Sequence, residues 1–426
     1  VLLVAYLLLG IGVFVGNGTL PGLPFALAAA TLVLLALPMR DRRSRLRAPL
    51  LPWCIAASAG LVVSRAPAAD TLLLFLVPLT LILGCLGVAV CVRPPLARGS
   101  TLAIALGLYA LAGGLLIARA PPPRIDVLEF QQDGARDLVA GRDPYASSFP
   151  NVYTPEETRR FFGDERTELH GFPYPPLSLL ATTLGRVVGG DVRWTLLAAQ
   201  LGIGLLLFAL ARGAGHGAPV AVAITTLHLL HPRGLFVLEQ GWTDAMVACA
   251  FLSVLLVLQR GQARWLGLAL GLFFASKQYS VILFPILLRV RRVSIRAWLE
   301  ALFVTAVVTL PFVAWSPRDF IRSVVLWQLQ QPFRPDALSI PAFVAWATGW
   351  RAPGALAVAG AAAGLASCWR SLRAPAPLSA LPLGAALIGM GFFLFAKQAF
   401  CNYYYFVGVL ILASEALLDP ADVAAA

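Results

Sequence analysis

"TLLLFLVPLTLILGCLGVAVCV", residues 71–92, runs for 22 residues without one charged side chain. A helix rises about 1.5 Å per residue, so a run of this length bridges the ~30 Å hydrocarbon layer of a bilayer. The rest of the chain has the same character. Of its 426 residues 59% are hydrophobic and 13% charged, and the mean hydropathy is +0.80. Soluble domains carry roughly 25% charged residues, so this composition belongs to an integral membrane protein. Nothing shows the alternating ten-residue period of a barrel strand, and the fold class expected is all-α.

Further apolar runs predict helices near 1–16, 23–39, 50–64 and 101–118, then near 177–190, 194–211, 218–230, 243–258, 264–288, 297–315, 338–348, 353–369, 378–396 and 403–418. The total is a polytopic bundle of about 12–14 transmembrane or re-entrant helices. The first run leads directly into the second, so no cleavable signal is expected. Arginines gather in short loops, "RDRRSRLR" at 40–47 and "RVRRVSIR" at 289–296 among them. That is the positive-inside pattern and places those loops in the cytoplasm. The net charge of +12 therefore does not call for nucleic acid, since no soluble basic domain exists to carry phosphate contacts. Residues 1–97 hold almost no polar side chain outside their loops and read as a four-helix extension. Residues 98–420 form the second unit. Tryptophans 53, 194, 242, 265, 298, 315 and 369 fall at segment ends, as interfacial anchors do.

By this parity residues 119–175 form a long outer loop after the fifth helix, with nearly half of the chain's acidic residues. Loops of such length in compact folds usually carry function. An amphipathic helix is expected from about 127 to 140, stopped by Gly141, with a turn at Asp143–Pro144. Two topologies remain open further on. If 177–190 and 264–288 both span, "HPRGLFVLEQGWTD" (231–244) is cytoplasmic. If neither spans fully, it is outside and Lys277 sits at the apex of a broken hairpin.

The chain has two lysines, in the near copies "FFASKQYS" (273–280) and "FLFAKQAF" (393–400). An ionised side chain in hydrocarbon costs ~2.5–3.5 kcal/mol on insertion scales and needs a partner or a wet cavity. Lys277 lies about a dozen residues from each end of its run, too far to snorkel. Glu239 and Asp244 are possible partners, and an anionic ligand is the alternative. Two ammonium groups on apolar walls suit a lipid phosphate. The six cysteines show no metal or redox spacing, and His228 and His231 gain no third ligand, so neither metal nor cofactor is expected.

"RIDVLEFQQDGARDLVAGRDPY" (124–145), followed by "FPYPPLSLL" (172–180), resembles the first outer loop of polyprenyl-phosphate-dependent glycosyltransferases of the GT-C superfamily, closest to family 87. "FFASKQYSVILFPILLRVRR" (273–292) resembles their lysine-bearing helix, and "FCNYYYF" (400–406) their tyrosine-rich last span. The resemblance covers roughly residues 101–418 and implies a bacterial plasma-membrane enzyme, mannosyltransferase-like, with its site on the outer face. It implies a polyprenyl-phosphate sugar donor and a lipid-linked or glycan acceptor. Asp126 is then the catalytic base, although Asp126-x-x-Glu129 also fits a helix capping box. Lys277, Lys397 and Arg124 would face the leaving phosphate. Glu129, Tyr174, Gln278, Asn402 and Tyr403 are candidate substrate contacts, with Glu239, Gln240 and Asp244 if their loop is outside. Asp143 and Tyr145 join them or form the turn. No DxD pair exists, which favours a metal-independent reaction. A transporter of lipid-linked sugars is the competing class.

Overall fold

Apolar runs in the sequence become helices in the computed structural model, which describes residues 1–15, 22–36, 47–64, 72–163, 165–290, 293–369 and 377–419. In chain order these begin with α1 (Leu2–Val15), α2 (Gly22–Ala36), α3 (Arg47–Ser64), α4 (Leu73–Val92) and α5 (Gly99–Arg119). The loop follows with α6 (Asp126–Val139), β1 (Ser148–Pro150), α7 (Pro155–Phe162), β2 (Glu168–His170) and α8 (Pro176–Gly189). Next come α9 (Arg193–Gly213), α10 (Ala218–Leu229), α11 (Gly234–Glu239), α12 (Asp244–Gln259), α13 (Ala263–Phe274), a 3-10 turn at Gln278–Leu283 and α14 (Phe284–Leu288). The chain closes with α15 (Ile295–Trp315), α16 (Pro317–Ile321), α17 (Trp327–Gln330), α18 (Ile340–Thr348), α19 (Leu356–Trp369), α20 (Ala380–Leu394) and α21 (Cys401–Ala416). Four helices among the described residues are long and apolar enough to cross a membrane (within α4, α5, α9 and α15), and eight apolar segments are shorter. The protein is all-α and multi-span, apart from the antiparallel pair β1–β2, which the sequence did not announce.

The expected extension does not stand apart. Tyr6 on α1 donates to the Leu227 carbonyl at 2.8 Å, and Arg233 caps the last carbonyls of α1 at Val13 and Phe14. One continuous apolar core runs from Leu2 and Tyr6 through Leu197, Phe251 and Tyr405. The α19–α20 crossing depends on small residues: a Cβ on Gly360 would lie 2.2 Å from the Gly391 carbonyl oxygen. Such backbone approach is how membrane helices gain packing where water supplies no driving force.

The two open topologies are resolved by contacts. Arg193, at the start of α9, donates to the carbonyl of Ile117 near the end of α5 at 3.4 Å. The chain from 120 to 192, α8 included, therefore leaves and rejoins the bundle at one end. Gly267 faces Glu300 and Gly271 faces Val304, so α13 runs beside α15 in the same direction for only 12 residues. The predicted single run 264–288 thus breaks at Lys277, whose backbone is extended (φ −160°, ψ 148°), and turns back. Residues 231–244 lie at the loop end, where Gly241 packs against Leu128 of α6. Lys277 is the apex of a re-entrant hairpin.

The loop forms a cap with its own aromatic core. Phe130, Tyr145, Phe149, Leu169 and Phe172 pack with Phe312, Phe320 and Val324 from the α15–α16 region. α6 lays its apolar face on α8, and Gln131 accepts from Thr182 at 2.7 Å beneath it. Thr154 caps α7 through a reciprocal pair with Glu157, and Gly163 ends it at φ 81°.

Candidate functional site

Polar groups converge where the cap meets the bundle. Asp244 opens α12 with no exposed surface, and its carboxylate has three partners. Oδ2 accepts from Lys277 Nζ at 2.8 Å and from Asn402 Nδ2 at 2.6 Å, while Oδ1 accepts from the Tyr279 hydroxyl at 2.7 Å. Three segments distant in sequence supply these groups: the start of α12, the break after α13 and the start of α21. Lys277 is 6% exposed, and its ammonium lies 5.2–5.7 Å from the ring centroids of Tyr174, Tyr279 and Tyr403. Aromatic faces attract a cation and replace part of its lost hydration. The opposite charge facing Lys277 is therefore Asp244 of the same chain. Among the described residues Asp244 is the one hydrogen-bond acceptor of that ammonium, which leaves two of its three N–H donors.

The second carboxylate is Asp126, at the first position of α6. The expected capping box does not form, because Ile125 is the N-cap and Asp126 instead accepts from the adjacent Val127 N–H at 2.8 Å. The Tyr153 hydroxyl donates to it, and Arg334 stands near enough to act on its charge. Burial raises the Asp126 pKa above the ordinary carboxylate value, and the Arg334 charge and these hydrogen bonds oppose the rise without cancelling it. Burial also raises the Tyr174 pKa well above the usual phenol value, with the charges of Asp126 and Asp244 adding to it. Tyr174 and Tyr403 lie within electrostatic reach of both carboxylates and join the two groups into one site.

Arg334 and Tyr153 are the residues that sequence reading missed. Arg334 forms a fork with Asp336 (2.8 Å for both bonds), donates to Tyr153, and lies 3.8 Å from the centre of the Phe161 ring. It sits in "QQPFRPDALS" (330–339), a proline-flanked connector, as one of 31 arginines. No spacing singled it out.

Several expected site residues have other work. Lys397 donates to the backbone carbonyls of Leu329 (3.0 Å) and Gln331, fixing the connector that carries Arg334. Arg124 pairs with Glu157 at 2.7 Å on the surface. Asp143 accepts from the Tyr145 N–H at 2.9 Å and from Ser316, which makes it a turn-former. Tyr145 is 1% exposed in the cap core, with its hydroxyl on the Tyr174 carbonyl. Gln278 spans from the re-entrant apex to the carbonyls of Pro173 (2.7 Å) and Val324 (3.2 Å). Glu129 lies in the first turn of α6, and Glu239 and Gln240 end α11, all three half-buried.

Fold and site together define an all-α, multi-span membrane protein whose polar side chains gather under a loop cap. Comparison of the chain with protein-family models, curated proteins and solved structures finds no match.

Proposed function

We propose that the protein is a membrane glycosyltransferase that moves a hexose or pentose, mannose foremost, from a polyprenyl-phosphate sugar to a hydroxyl of a lipid-linked or cell-envelope glycan. The observation that carries this is Asp126: a carboxylate of raised pKa at the seam between cap and bundle, bonded by Tyr153, acted on by the Arg334 charge and within electrostatic reach of Tyr174 and Tyr403. A base with a raised pKa removes a hydroxyl proton more effectively than an ordinary aspartate. Asp126 takes the acceptor proton, the acceptor oxygen bonds to the anomeric carbon, and the bond from that carbon to the phosphate oxygen breaks with inversion. The phosphate gains negative charge as it leaves. Lys277 with its two remaining N–H donors, and Arg334, are the cations suited to stabilise it.

The membrane proposed is a bacterial plasma membrane with the site on its outer face, and arginine placement in the short loops supports that orientation. The end opposite the cap carries Arg93, Arg98, Arg212, Arg260, Arg264, Arg289 and Arg296, with Glu300, Glu415 and Asp419 as its acids among the described residues. Cationic loops stay in the cytoplasm.

The test uses purified protein in lipid with a panel of polyprenyl-phosphate sugars, following polyprenyl phosphate release in the presence of glycan acceptors. Asp126→Asn should lower the rate by about 10²–10⁴-fold with donor binding retained. A transporter of lipid-linked sugars is the second reading, favoured by the helix broken at a buried charge. Donor binding without release by wild type would select it.

A further inference from the structure

The outer surface of the cap holds a groove of about 410 Å³, separate from the Asp126–Asp244 cluster and lined by Phe162, Arg166, Glu168, His170, Arg322 and Trp327 with the 330–332 connector. That volume falls in the roughly 300–1,000 Å³ range of small-molecule sites. The lining mixes two aromatic rings, two guanidinium forks, a carboxylate, an imidazole and amides. A lipid tail has no use for so many donors and acceptors, whereas a polyhydroxylated ring offers hydroxyls to planar polar groups and C–H faces to aromatics.

The groove is built in advance of any ligand. The Arg166 guanidinium lies 5.0 Å from the Phe162 centroid and 5.6 Å from that of Trp327, which fixes the direction of its fork. The two rings are 6.3 Å apart. His170 is oriented through Nδ1 by the Ser148 hydroxyl at 2.6 Å, across the β1–β2 pair. Arg322 is exposed and has no hydrogen-bond or ion-pair partner among the described residues, so its donors are open to a ligand. A wall is shared with the site below. Phe162 packs on the Tyr153 ring at 5.8 Å, and the hydroxyl of Tyr153 bonds to Asp126. The groove floor at Gln331 is tied through its carbonyl to Lys397.

We infer that this groove binds the saccharide chain of the acceptor, holding sugar residues beyond the reacting one while the reacting hydroxyl reaches Asp126 past Tyr153. This rests on the transferase reading for the word acceptor; the binding itself does not.

The experiment measures binding of a linear mannose oligosaccharide and of a hexuronic-acid oligosaccharide to the full chain in nanodiscs, by saturation-transfer NMR and calorimetry, without donor. Trp327→Ala and Arg322→Ala should weaken binding about tenfold or more, as loss of a central contact does, and Asp126→Asn, which meets only the reacting hydroxyl, should weaken it less than either. Arg322 is exposed and without a partner among the described residues, so Arg322→Ala keeps the inference testable even if Trp327→Ala fails to fold. The inference is overturned if neither saccharide binds wild type, if both groove variants bind as wild type does, or if binding is lost in Asp126→Asn and kept in Arg322→Ala. Failure of the transferase reading is separate: it shows as donor binding without polyprenyl phosphate release by wild type, whatever the saccharide-binding data give.

Discussion

Lys277 and Lys397 lie in near copies of one short sequence, and each stands three residues beyond the last residue of a helix, α13 in one case and α20 in the other. The unpaired carbonyls and negative dipole end of a helix favour a cation there. There the likeness ends. Lys277 is enclosed, and its charge is met by a carboxylate from another helix. Lys397 is half-buried, with its pKa lowered by burial, and it bonds to backbone carbonyls of a connector. The shared motif sets where the chain breaks and a cation emerges; tertiary contacts alone decide whether that cation completes a polar site or pins a loop.

The largest effect expected from testing this contrast is at the buried pair. Asp244→Ala leaves the Lys277 ammonium uncompensated and should destabilise the protein by about 3–5 kcal/mol, read as a lower melting temperature in detergent. Replacing both partners, Lys277→Met with Asp244→Leu, should recover most of that loss while abolishing turnover. A double variant as unstable as Asp244→Ala would mean that the pair is not coupled.

Arginine exchange comes next. Lys277→Arg puts a planar fork into a space shaped around a compact ammonium and three tyrosine rings, and should impair folding or turnover. Lys397→Arg keeps donors for the same carbonyls and should be near neutral. Equal tolerance at both positions would erase the distinction. Lys397→Met should cost about 1 kcal/mol, the scale of a partly exposed hydrogen-bonded group. Its signature is faster amide exchange confined to 329–338, around the Leu338 N–H bond to the Ala399 carbonyl.

The smallest effect is a shift in pH profile. A base works when deprotonated, so turnover should rise with pH through an Asp126 pKa lying above 3.8. Tyr153→Phe removes a bond that favours the carboxylate and should move the acid limb to higher pH. Stability has the opposite sign. A carboxyl whose pKa is raised on folding stabilises the fold when protonated, and this contribution is lost as pH rises through the raised value. Asp126→Asn should therefore melt slightly higher than wild type at neutral pH.

The membrane class, the helices, α6 with its Gly141 stop and the Asp143 turn were legible because they depend on local pattern: apolar length, helix-stop chemistry and turn residues. The site was legible in part. Asp126, Asp244, Lys277, Asn402, Tyr174 and Tyr403 do converge. Asp244 was one of two possible partners for Lys277 and the broken hairpin one of two topologies; the sequence could not choose, because the two residues meet across 33 positions only once the α13 run breaks. Arg334 acts through a connector with no period of its own, and Tyr145 carries no local sign that it belongs to the cap core.

The helices differ in length in an ordered way. The four long ones are largely open to their surroundings, with 17–44% of the span window buried, and α5, α9 and α15 each have 21 residues. α10, α12 and α21, deep inside, have 12 to 16. At 1.5 Å per residue the two groups differ in length by about 7–14 Å. Asp244 and Lys277 stand at the cap-side ends of short segments, α12 and α13. A bilayer matched to the long helices is thicker than these short segments are long. On the proposed reading, in which a lipid phosphate meets Lys277, bilayer thickness would set how deep that head group must sink, and varying acyl length in reconstituted membranes would tune the encounter without changing a residue.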